Sequence, residues 1–324
     1  MDIICYNMLP STVNIILATY NGERFLAEQL ISLIDQTYSN WKLLVSDDGS
    51  TDSTLSILNY FASTDPRIII VNSHRQGGVV KNFGMALSFV DSEYIMFCDQ
   101  DDVWNHNKIE LMVKNIIDYE AISGKNFPLL GFSDATIVDH DLSMIADSLY
   151  ASNAINPLNN IDYRFLIWCS TVFGCTVIFN RRLLLRAFPI PSEAPMHDQW
   201  FALVAALTGS VFFVPEQTIK YRMHSNNVVG AKPKALISKL FSLKKIVVNA
   251  YYDARYASKL LSISKALLTH CDNPISFSAK DAINNCINDT LTARFYFLEK
   301  FVKPFASDRT AYVILFSFLY IISF

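Results

Sequence analysis

Three aspartates lie within four consecutive positions directly after a short apolar segment of the chain. They are Asp99, Asp101 and Asp102. Like charges this close repel one another unless a cation shares them. Because Mg²⁺ and Mn²⁺ prefer oxygen ligands and often bridge to substrate phosphates, the cluster predicts a divalent-metal site. In the alternative interpretation, Asp102 caps the following helix and the other two carboxylates are solvated.

A second polar cluster follows another apolar segment and reads Asp47-Asp48-Gly49-Ser50-Thr51-Asp52. Ser50 or Asp52 is suited to cap the next helix, whereas Asp48 has no such structural task. A carboxylate at Asp48 would accept the N3–H of uracil or thymine, a donor that cytosine and adenine lack at the equivalent edge. The cluster therefore predicts recognition of a nucleotide base.

A third polar segment, Thr19-Tyr20-Asn21-Gly22-Glu23, closes the first apolar run. Gly22 permits a tight turn from strand to helix, and Glu23 falls in the first helical turn, where negative charge is favoured. None of the three clusters reads G-x-G-x-x-G or G-x-x-x-x-G-K-[ST]. Neither a dinucleotide-binding dehydrogenase nor a P-loop enzyme is therefore indicated.

The elements that carry these clusters alternate between strands and helices. Strands are predicted at 13–18, 43–45, 67–71, 94–98, 129–138, 175–179, 211–214 and 219–223. Helical spacing of apolar residues fills much of the chain between them. This alternation predicts an α/β fold with a mostly parallel sheet covered on both faces. In such sheets ligands bind beyond the carboxyl ends of the strands, which is where the polar clusters fall.

Composition excludes several classes of protein. The net charge of −3 and the pI near 6.1 argue against a nucleic-acid binder, whose affinity would come from many Lys/Arg–phosphate contacts. Six cysteines without a C-x-x-C spacing make a disulfide framework or a zinc site improbable in 324 residues. No cationic residue precedes Pro10, so no secretory signal is indicated and a cytoplasmic location is expected.

The last third of the chain differs in character. Between residues 230 and 250 there are five lysines and no acidic residue, with apolar residues interleaved. This pattern is typical either of a basic amphipathic helix at an anionic membrane surface or of a solvated helix packed on the rest of the protein. The apolar segment 311–324 is shorter than the ~20 residues that span a bilayer. It lies in the membrane interface, packs on preceding helices or continues elsewhere. A mean hydropathy of +0.24 adds to the membrane interpretation.

Four motifs, taken together in their order and spacing, resemble glycosyltransferase family 2 over about residues 13–230. They are Thr19–Glu23, Ser46–Asp52, Asp99–Trp104 and His197–Trp200. The resemblance implies an inverting, metal-dependent enzyme with a GT-A (Rossmann-like) fold, similar to bacterial rhamnosyltransferases of polysaccharide assembly. It predicts a catalytic domain over residues 1–230 and a C-terminal helical extension over 231–324.

The resemblance also implies roles for individual residues. The nucleotide sugar would contact Thr19, Tyr20, Asn21, Glu23, Asp48, Asn82 and Asp99. Asn82 is explained equally well as a plain helix start. Asp101, with Asp99 and His224, would hold Mg²⁺ or Mn²⁺. Asp198 would be the general base, although a carboxylate at a helix start is also a common structural feature. Trp200 would contact the acceptor sugar unless it packs in the core, as most tryptophans do.

Inverting transfer requires a base that deprotonates the acceptor hydroxyl while the nucleotide diphosphate leaves from the opposite face. A single carboxylate suffices, and a pKa near the operating pH suits it. Asp198 begins a helix, whose dipole lowers its pKa, so burial must offset that effect. The metal would stabilise the leaving diphosphate as a Lewis acid.

The sequence therefore predicts transfer of a sugar, with L-rhamnose from dTDP-L-rhamnose as the first choice from overall similarity, onto a lipid-linked saccharide. The enzyme would lie at the cytoplasmic face of the inner membrane. A UDP-hexose donor and a non-catalytic nucleotide-sugar-binding module are the alternatives. A sugar nucleotidyltransferase would need Lys and Arg in a glycine-rich loop after the first strand, where only Arg24 is present.

Overall fold

The computed structural model describes residues 12–124, 126–223, 256–268, 274–287, 290–308 and 310–322. Within these residues one sheet contains the strands β1 (Val13–Thr19), β2 (Trp41–Asp47), β3 (Ile68–Asn72), β4 (Tyr94–Cys98), β5 (Val103–Trp104), β6 (Leu129–Val138), β7 (Met144–Ala146), β8 (Val177–Asn180) and β9 (Ser210–Arg222).

The helices of the first 223 residues alternate with these strands. They are α1 (Leu26–Ile34), α2 (Thr54–Thr64), α3 (Val79–Leu87), α4 (Lys108–Ser123), α5 (Leu149–Ser152), α6 (Tyr163–Cys169), α7 (Arg181–Ala187) and α8 (His197–Thr208). The described part of the C-terminal region adds α9 (256–268), α10 (Pro274–Asn284), α11 (Leu291–Phe297) and α12 (Thr310–Ile322). Short 3₁₀ segments occur at Pro157–Ile161, Gly174–Thr176 and Lys303–Asp308, and Leu298–Val302 is a π-helical turn.

The strand order of the sheet is β3-β2-β1-β4-β8-β6-β9-β5, with β7 paired to β6. Strands β3, β2, β1 and β4 are parallel, and β6 pairs with β9 in parallel, whereas β8 runs antiparallel to both of its neighbours. The longest ladders are therefore parallel. This confirms the α/β fold with a mixed, mostly parallel sheet that the sequence predicts.

The core lies on both faces of the central strands. Ile15, Ile16 and Leu17 of β1 are consecutive and completely buried, because helices cover the sheet on either side. Helix α8 is almost entirely apolar after its first turn and is also buried, which fixes its N-terminus against the sheet. The positions of the loops at the carboxyl ends of β1, β2 and β4 follow from this packing.

Strand β9 corrects the sequence prediction of two closing strands at 211–214 and 219–223. It is one continuous strand, and its register against β6 shifts where Ser133 pairs with Val214 and Asp134 with Gln217. Pro215 falls within this irregularity, where a missing N–H does not break the ladder. Pro215 thus lies within one continuous strand, although the sequence predicts two strands there.

The described part of the C-terminal region packs on the rest of the protein. The indole Nε1 of Trp168 in α6 donates a hydrogen bond of 2.8 Å to the carbonyl oxygen of Phe301. The Trp168 ring also lies 5.2 Å from that of Phe316, and the rings of Phe297 and Tyr320 stack at 4.6 Å. Helix α12 therefore buries one side against preceding elements. In the described residues no helix has both the length and the apolar character to cross a bilayer. The basic segment 230–250 lies outside the described residues.

Candidate active site

A cleft of about 1130 Å³ opens at the carboxyl ends of β1, β2 and β4, next to the start of α8. The structure brings eight of the predicted site residues to its walls, namely Thr19, Tyr20, Asn21, Asp48, Asn82, Asp99, Asp101 and Asp198. These residues come from five separate stretches of the chain. Parallel strands place their carboxyl ends along one edge of the sheet, which is why distant polar clusters converge here.

The loop after β1 is held against the loop before α2. The backbone N–H of Asn21 donates to Ser50 Oγ at 2.8 Å, and Asn21 Oδ1 accepts from the Thr51 N–H at 2.9 Å. The Gly22 N–H donates to Thr54 Oγ1 at 2.8 Å. Asn21 adopts a φ of +46°, a conformation that asparagine tolerates better than most residues. The two polar motifs therefore form one surface.

Asp48 has a structural task that the sequence analysis did not assign to it. Its carboxylate accepts the backbone N–H groups of Gln76, Gly77 and Gly78, the last two at 2.8 and 2.9 Å. Burial alone would raise the pKa of Asp48, but these hydrogen bonds bring the net shift below its usual value. A carboxylate has about four lone-pair positions. Asp48 thus keeps capacity for one ligand donor while it shapes the 76–78 turn.

Asn82 is a buried residue beneath the cleft. Its Nδ2 donates to the carbonyl oxygen of Thr19 at 3.1 Å, and its Oδ1 accepts from Ser46 Oγ at 2.6 Å. Helix α3 is thereby tied to the ends of β1 and β2. Asn82 therefore supports the loop, and direct contact with a nucleotide stays a prediction.

Asp99 and Asp101 of the aspartate cluster after β4 line the cleft, and Asp102 is completely buried. Carboxylate oxygens of Asp99 and Asp102 and the Cys175 thiol all lie within 4.8 Å of one another. Burial, followed by the charges of Asp102 and Asp101, raises the pKa of Asp99 well above its usual value. Burial, followed by the charge of Asp101, raises the pKa of Asp102 to about 7.

Asp102 does not cap the following helix, which begins at Lys108. Its Oδ1 accepts the Arg222 backbone N–H at 3.0 Å, and its Oδ2 is buried with no hydrogen-bond partner among the described residues. Such an oxygen fits a cation site. Burial and the charges of Asp102 and Asp99 raise the pKa of the Cys175 thiol. The carboxylates of the cluster supply the oxygen ligands that Mg²⁺ and Mn²⁺ prefer.

Two buried cations, which the sequence analysis missed, support the cluster. Lys108 lies 4.0 Å from the Trp104 ring and donates to the carbonyl oxygen of Cys175, and burial lowers its pKa to about 8. Arg222 is completely buried; its Nε donates to the Asp101 carbonyl oxygen at 2.8 Å and its guanidinium pairs with Glu28. The sequence around each residue gives no signal of burial, because Lys108 follows Asn107 and Arg222 comes two positions after Lys220.

Asp198 lies in the first turn of α8, facing the cleft. Its Oδ2 accepts the Gly174 N–H at 2.9 Å and its Oδ1 the Gln199 N–H at 2.7 Å. Burial raises the pKa of Asp198 to about 6 and outweighs these hydrogen bonds, which lower it. A carboxylate with this pKa is largely ionised at neutral pH and is still a competent proton acceptor.

His197 is a neutral neighbour of Asp198. Its ring stacks on Phe83 with centroids 3.7 Å apart and meets Phe97 edge-on at 4.7 Å. Burial lowers the pKa of His197 to about 3, so the imidazole carries no charge at neutral pH. It therefore adds aromatic packing beside Asp198 and no positive charge.

Two predicted site residues do not line the cleft, and a third lies outside the described residues. Trp200 is not among the residues that line the cleft. It is buried, and its Nε1 donates to the Ala187 carbonyl oxygen at 2.8 Å, as the core-packing alternative predicts. Glu23 does not line the cleft either; its Oε2 accepts the Ser53 N–H at 2.8 Å and holds two loops together. His224 lies outside the described residues.

The structure also adds wall residues that no motif indicated. The cleft is also lined by residues of two loops, which are Asn153, Ile155, Ser170, Thr171, Val172 and Phe173. They flank the short helices α5 and α6 in an irregular part of the chain. Their residue types carry no recognisable spacing, and only the tertiary fold brings them to the cleft.

Comparison with known proteins gives a consistent result. The model of the family described as "Glycosyl transferase family 2" matches residues 14–178. The chain is 34% identical over 234 residues to the dTDP-rhamnosyl transferase RfbG of Shigella flexneri, covering 66% of this chain and 74% of that protein. It is 36% identical over 229 residues to the UDP-Glc:alpha-D-GlcNAc-diphosphoundecaprenol beta-1,3-glucosyltransferase WfgD of Escherichia coli, covering 69% and 82%.

A solved structure supports the same fold. The crystal structure of S. aureus TarS 1-349 in complex with UDP-GlcNAc matches with a TM-score of 0.53 at 15% identity and covers 95% of this chain and 90% of that one. At this identity the likeness concerns the fold alone. The match of the family model to half of the chain, and the identity to two glycosyltransferases over two thirds of it, lead to one conclusion: the chain belongs to glycosyltransferase family 2.

Proposed function

We propose that this glycosyltransferase inverts the anomeric centre of a nucleotide-diphosphate sugar as it transfers the sugar to a lipid-linked saccharide, with a divalent cation as cofactor. The observation that carries the proposal is one cleft with two kinds of carboxylate. Asp99 and Asp101 line the cleft and, together with the buried Asp102, suit a cation, and Asp198 in the same cleft has a pKa of about 6. Inverting transfer needs this combination of one base and one site for the leaving group.

The nucleotide would bind across the surface made by the loops after β1 and β2. Asp48 has acceptor capacity for a base N–H, and Thr19, Tyr20 and Asn21 line the cleft next to it. Asp99, which lines the same cleft as Asp48, would contact the ribose. The preference of a single carboxylate for uracil or thymine is consistent with a dTDP or UDP donor.

The cation would be Mg²⁺ or Mn²⁺ held by Asp99 and Asp101, with His224 as a further ligand. When bound, it would stabilise the negative charge of the leaving diphosphate. The buried Oδ2 of Asp102 is a further oxygen at the same place. Arg222 and Lys108 fix the backbone beneath the cluster through the Asp101 and Cys175 carbonyl oxygens, so that the carboxylates keep their arrangement.

Asp198 would remove the proton from the acceptor hydroxyl. Hydrogen bonds from the Gly174 and Gln199 backbone hold its carboxylate in a fixed orientation, and these donors lie on two different elements. The loops around Asn153 and Thr171 line the same cleft and would contact the acceptor, since the second loop leads into Gly174, which donates to Asp198.

The relatives favour surface-polysaccharide biosynthesis but differ in donor. RfbG is named a dTDP-rhamnosyl transferase, which supports dTDP-L-rhamnose as the donor, whereas WfgD is named for UDP-Glc. The WfgD acceptor is a diphosphoundecaprenol-linked sugar, and this supports a lipid-linked acceptor here. A UDP-hexose donor is therefore the second candidate.

Titration calorimetry with dTDP, UDP and GDP tests the proposal, each with Mn²⁺ and then with EDTA. We expect binding that depends on Mn²⁺ and favours dTDP. Preference for UDP would keep the transferase and change the donor. Lack of binding by any nucleotide would contradict the proposal. Asp198→Asn should bind nucleotide normally but lose transfer, whereas the exposed Asp118→Asn on α4 is the matched control and should retain both.

A lipid-linked acceptor places the enzyme at the cytoplasmic face of the membrane, and the basic residues of the 231–324 extension would supply the contact. Lys232, Lys234, Lys239, Lys244 and Lys245 are suited to anionic headgroups. Replacing all five by glutamine in the full chain should reduce flotation with anionic liposomes and leave nucleotide binding unchanged. Equal flotation of both proteins would contradict membrane association through this segment.

A further inference from the structure

The side chain of Gln100 joins the two loops that form the proposed nucleotide and metal sites. Its Oε1 accepts the backbone N–H of Tyr20 at 2.9 Å, and its Nε2 donates to the carbonyl oxygen of Tyr20 at 3.1 Å. Gln100 stands between Asp99 and Asp101, and Tyr20 lies in the loop after β1. One amide thus satisfies both backbone groups of one residue that is 80 positions away.

The opposite side of the β1 loop is already secured. Residues 50–54 bind Asn21, Gly22 and Glu23 through backbone and side-chain hydrogen bonds of 2.8 to 3.2 Å. These bonds attach the loop to the start of α2 and do not reach the aspartate cluster. The Gln100 amide is what fixes the loop in the other direction, toward Asp99 and Asp101.

Gly22 leaves the space that this contact requires. A Cβ added at Gly22 would lie 2.4 Å from Gln100 Oε1 and 2.6 Å from its Cδ, and its three nearest atoms all belong to Gln100. Gly22 has no positive φ, so its backbone would accept another residue. The glycine is therefore explained by the close approach of the amide.

We propose that Gln100 is a positioning residue that sets the separation between the nucleotide-binding loop and the carboxylate cluster. The inference rests on the proposed function of the cleft. A nucleotide diphosphate that contacts the base site at one end and a cation at the other needs both at a fixed distance. The Gln100 clasp, defined as its two hydrogen bonds to Tyr20, holds this distance before the donor binds, so that binding does not have to order the loop.

Amide chemistry is specific for this task. Only glutamine or asparagine presents one amide donor and one amide acceptor side by side to the N–H and C=O of a single residue, and asparagine is one methylene too short. Gln100→Met keeps the length of the side chain and removes both hydrogen bonds. Gln100→Glu keeps an acceptor for the Tyr20 N–H, leaves the Tyr20 carbonyl without a donor, and adds a carboxylate between Asp99 and Asp101.

The test measures nucleotide affinity, metal affinity and loop protection in the full-length protein. Gln100→Met should weaken binding of dTDP or UDP in Mn²⁺ about tenfold, since two neutral hydrogen bonds are lost. It should change Mn²⁺ affinity without nucleotide by less than about twofold, because Gln100 makes no hydrogen bond to a carboxylate of the cluster among the described residues. The Tyr20 amide should exchange with deuterium about tenfold faster in the free protein.

A double-variant cycle separates the clasp from general damage to the loop. Gly22→Ala should weaken nucleotide binding about tenfold in the natural sequence and have no further effect in a Gln100→Ala background, where the side chain that it displaces is gone. Multiplicative losses in the cycle, or normal nucleotide affinity of Gln100→Met, would overturn the proposal. An unchanged deuterium-exchange rate of the Tyr20 amide would overturn the clasp, whether or not the unmodified protein binds nucleotide. Failure of the unmodified protein to bind any nucleotide would separately refute the proposed function.

Discussion

Replacement of Asp198 by asparagine should lower the activity of this enzyme, and it should raise the stability relative to the unmodified protein as the pH increases toward neutral. The carboxylate is held by two backbone N–H groups in the first turn of α8, and burial raises its pKa from 3.8 to about 6. A folded-state pKa above the unfolded-state value means that the folded protein binds the proton more tightly. The ionised carboxylate that we propose as the base therefore lowers stability at neutral pH.

The size of the effect follows from the pKa shift. A difference of about 2 pKa units corresponds to about 3 kcal/mol at 1.36 kcal/mol per unit. This figure is an upper bound, because the side chain is partly open to the cleft. The penalty is absent below the unfolded-state pKa of about 4, grows as the pH rises, and is complete above the folded-state pKa of about 6. About 1.3 kcal/mol of it should develop between pH 5 and pH 7.

Urea unfolding of the unmodified protein and of Asp198→Asn at several pH values measures this directly. An imperfect contact of the asparagine NH₂ with a backbone N–H changes the free energy of unfolding of the variant equally at every pH. Such an effect therefore does not alter how the difference in stability between the two proteins depends on pH. The stability of the variant should therefore rise relative to the unmodified protein from pH 5 to pH 7. Its kcat should fall at least about a hundredfold. Parallel stability curves would refute the raised pKa, and a variant with full activity would refute the role of Asp198 as the base.

Two further predictions concern the scaffold. Gly209→Ala should lower the free energy of unfolding by more than about 2 kcal/mol, because its Cβ would lie 1.9 Å from the Pro128 carbonyl oxygen. Gly84→Ala in α3 is the control, because nothing lies within 4 Å of the added Cβ. Its free energy of unfolding should rise by up to about 1 kcal/mol in the same urea titrations. Arg222→Met should lower the free energy of unfolding by about 3 kcal/mol, since it leaves buried carbonyl oxygens without donors. Arg222→Lys should recover less than half of that loss in thermal melts. An unchanged melting temperature of the methionine variant would contradict this prediction.

Most of the sheet could be predicted from sequence because its physical signals are local. Strands β1 and β4 are apolar runs that end in polar residues, and α4 has a clear stripe of apolar residues at helical spacing. The convergence of the polar clusters followed from the geometry of parallel strands alone. Strand β9 was predicted as two pieces because Pro215 resembles an interruption, and only pairing with β6 shows the irregularity that accommodates it.

The arrangement within the site could be predicted only in part, because it depends on long-range contacts. The three turn N–H groups that bind Asp48 come from about 30 positions away, so its structural task has no local signal. Trp200 follows Asp198 by two positions, but on a helix two positions turn the side chain to the other face. It therefore packs toward Ala187 in the interior while Asp198 faces the cleft.

The charge balance of the site supports the divalent cation that we propose. Asp99, Asp102 and Asp198 all have a raised pKa, with burial as the first cause in each. Lys108 is buried nearby, but its Nζ donates to a carbonyl oxygen, and Arg222 directs its guanidinium to the Asp101 carbonyl and to Glu28. Both cations thus hold backbone in place and leave carboxylate oxygens of the cluster available. Because the two buried cations hold the backbone, the acidic oxygens of the cluster remain available to a ligand. The charge of a divalent cation with a diphosphate fits this arrangement.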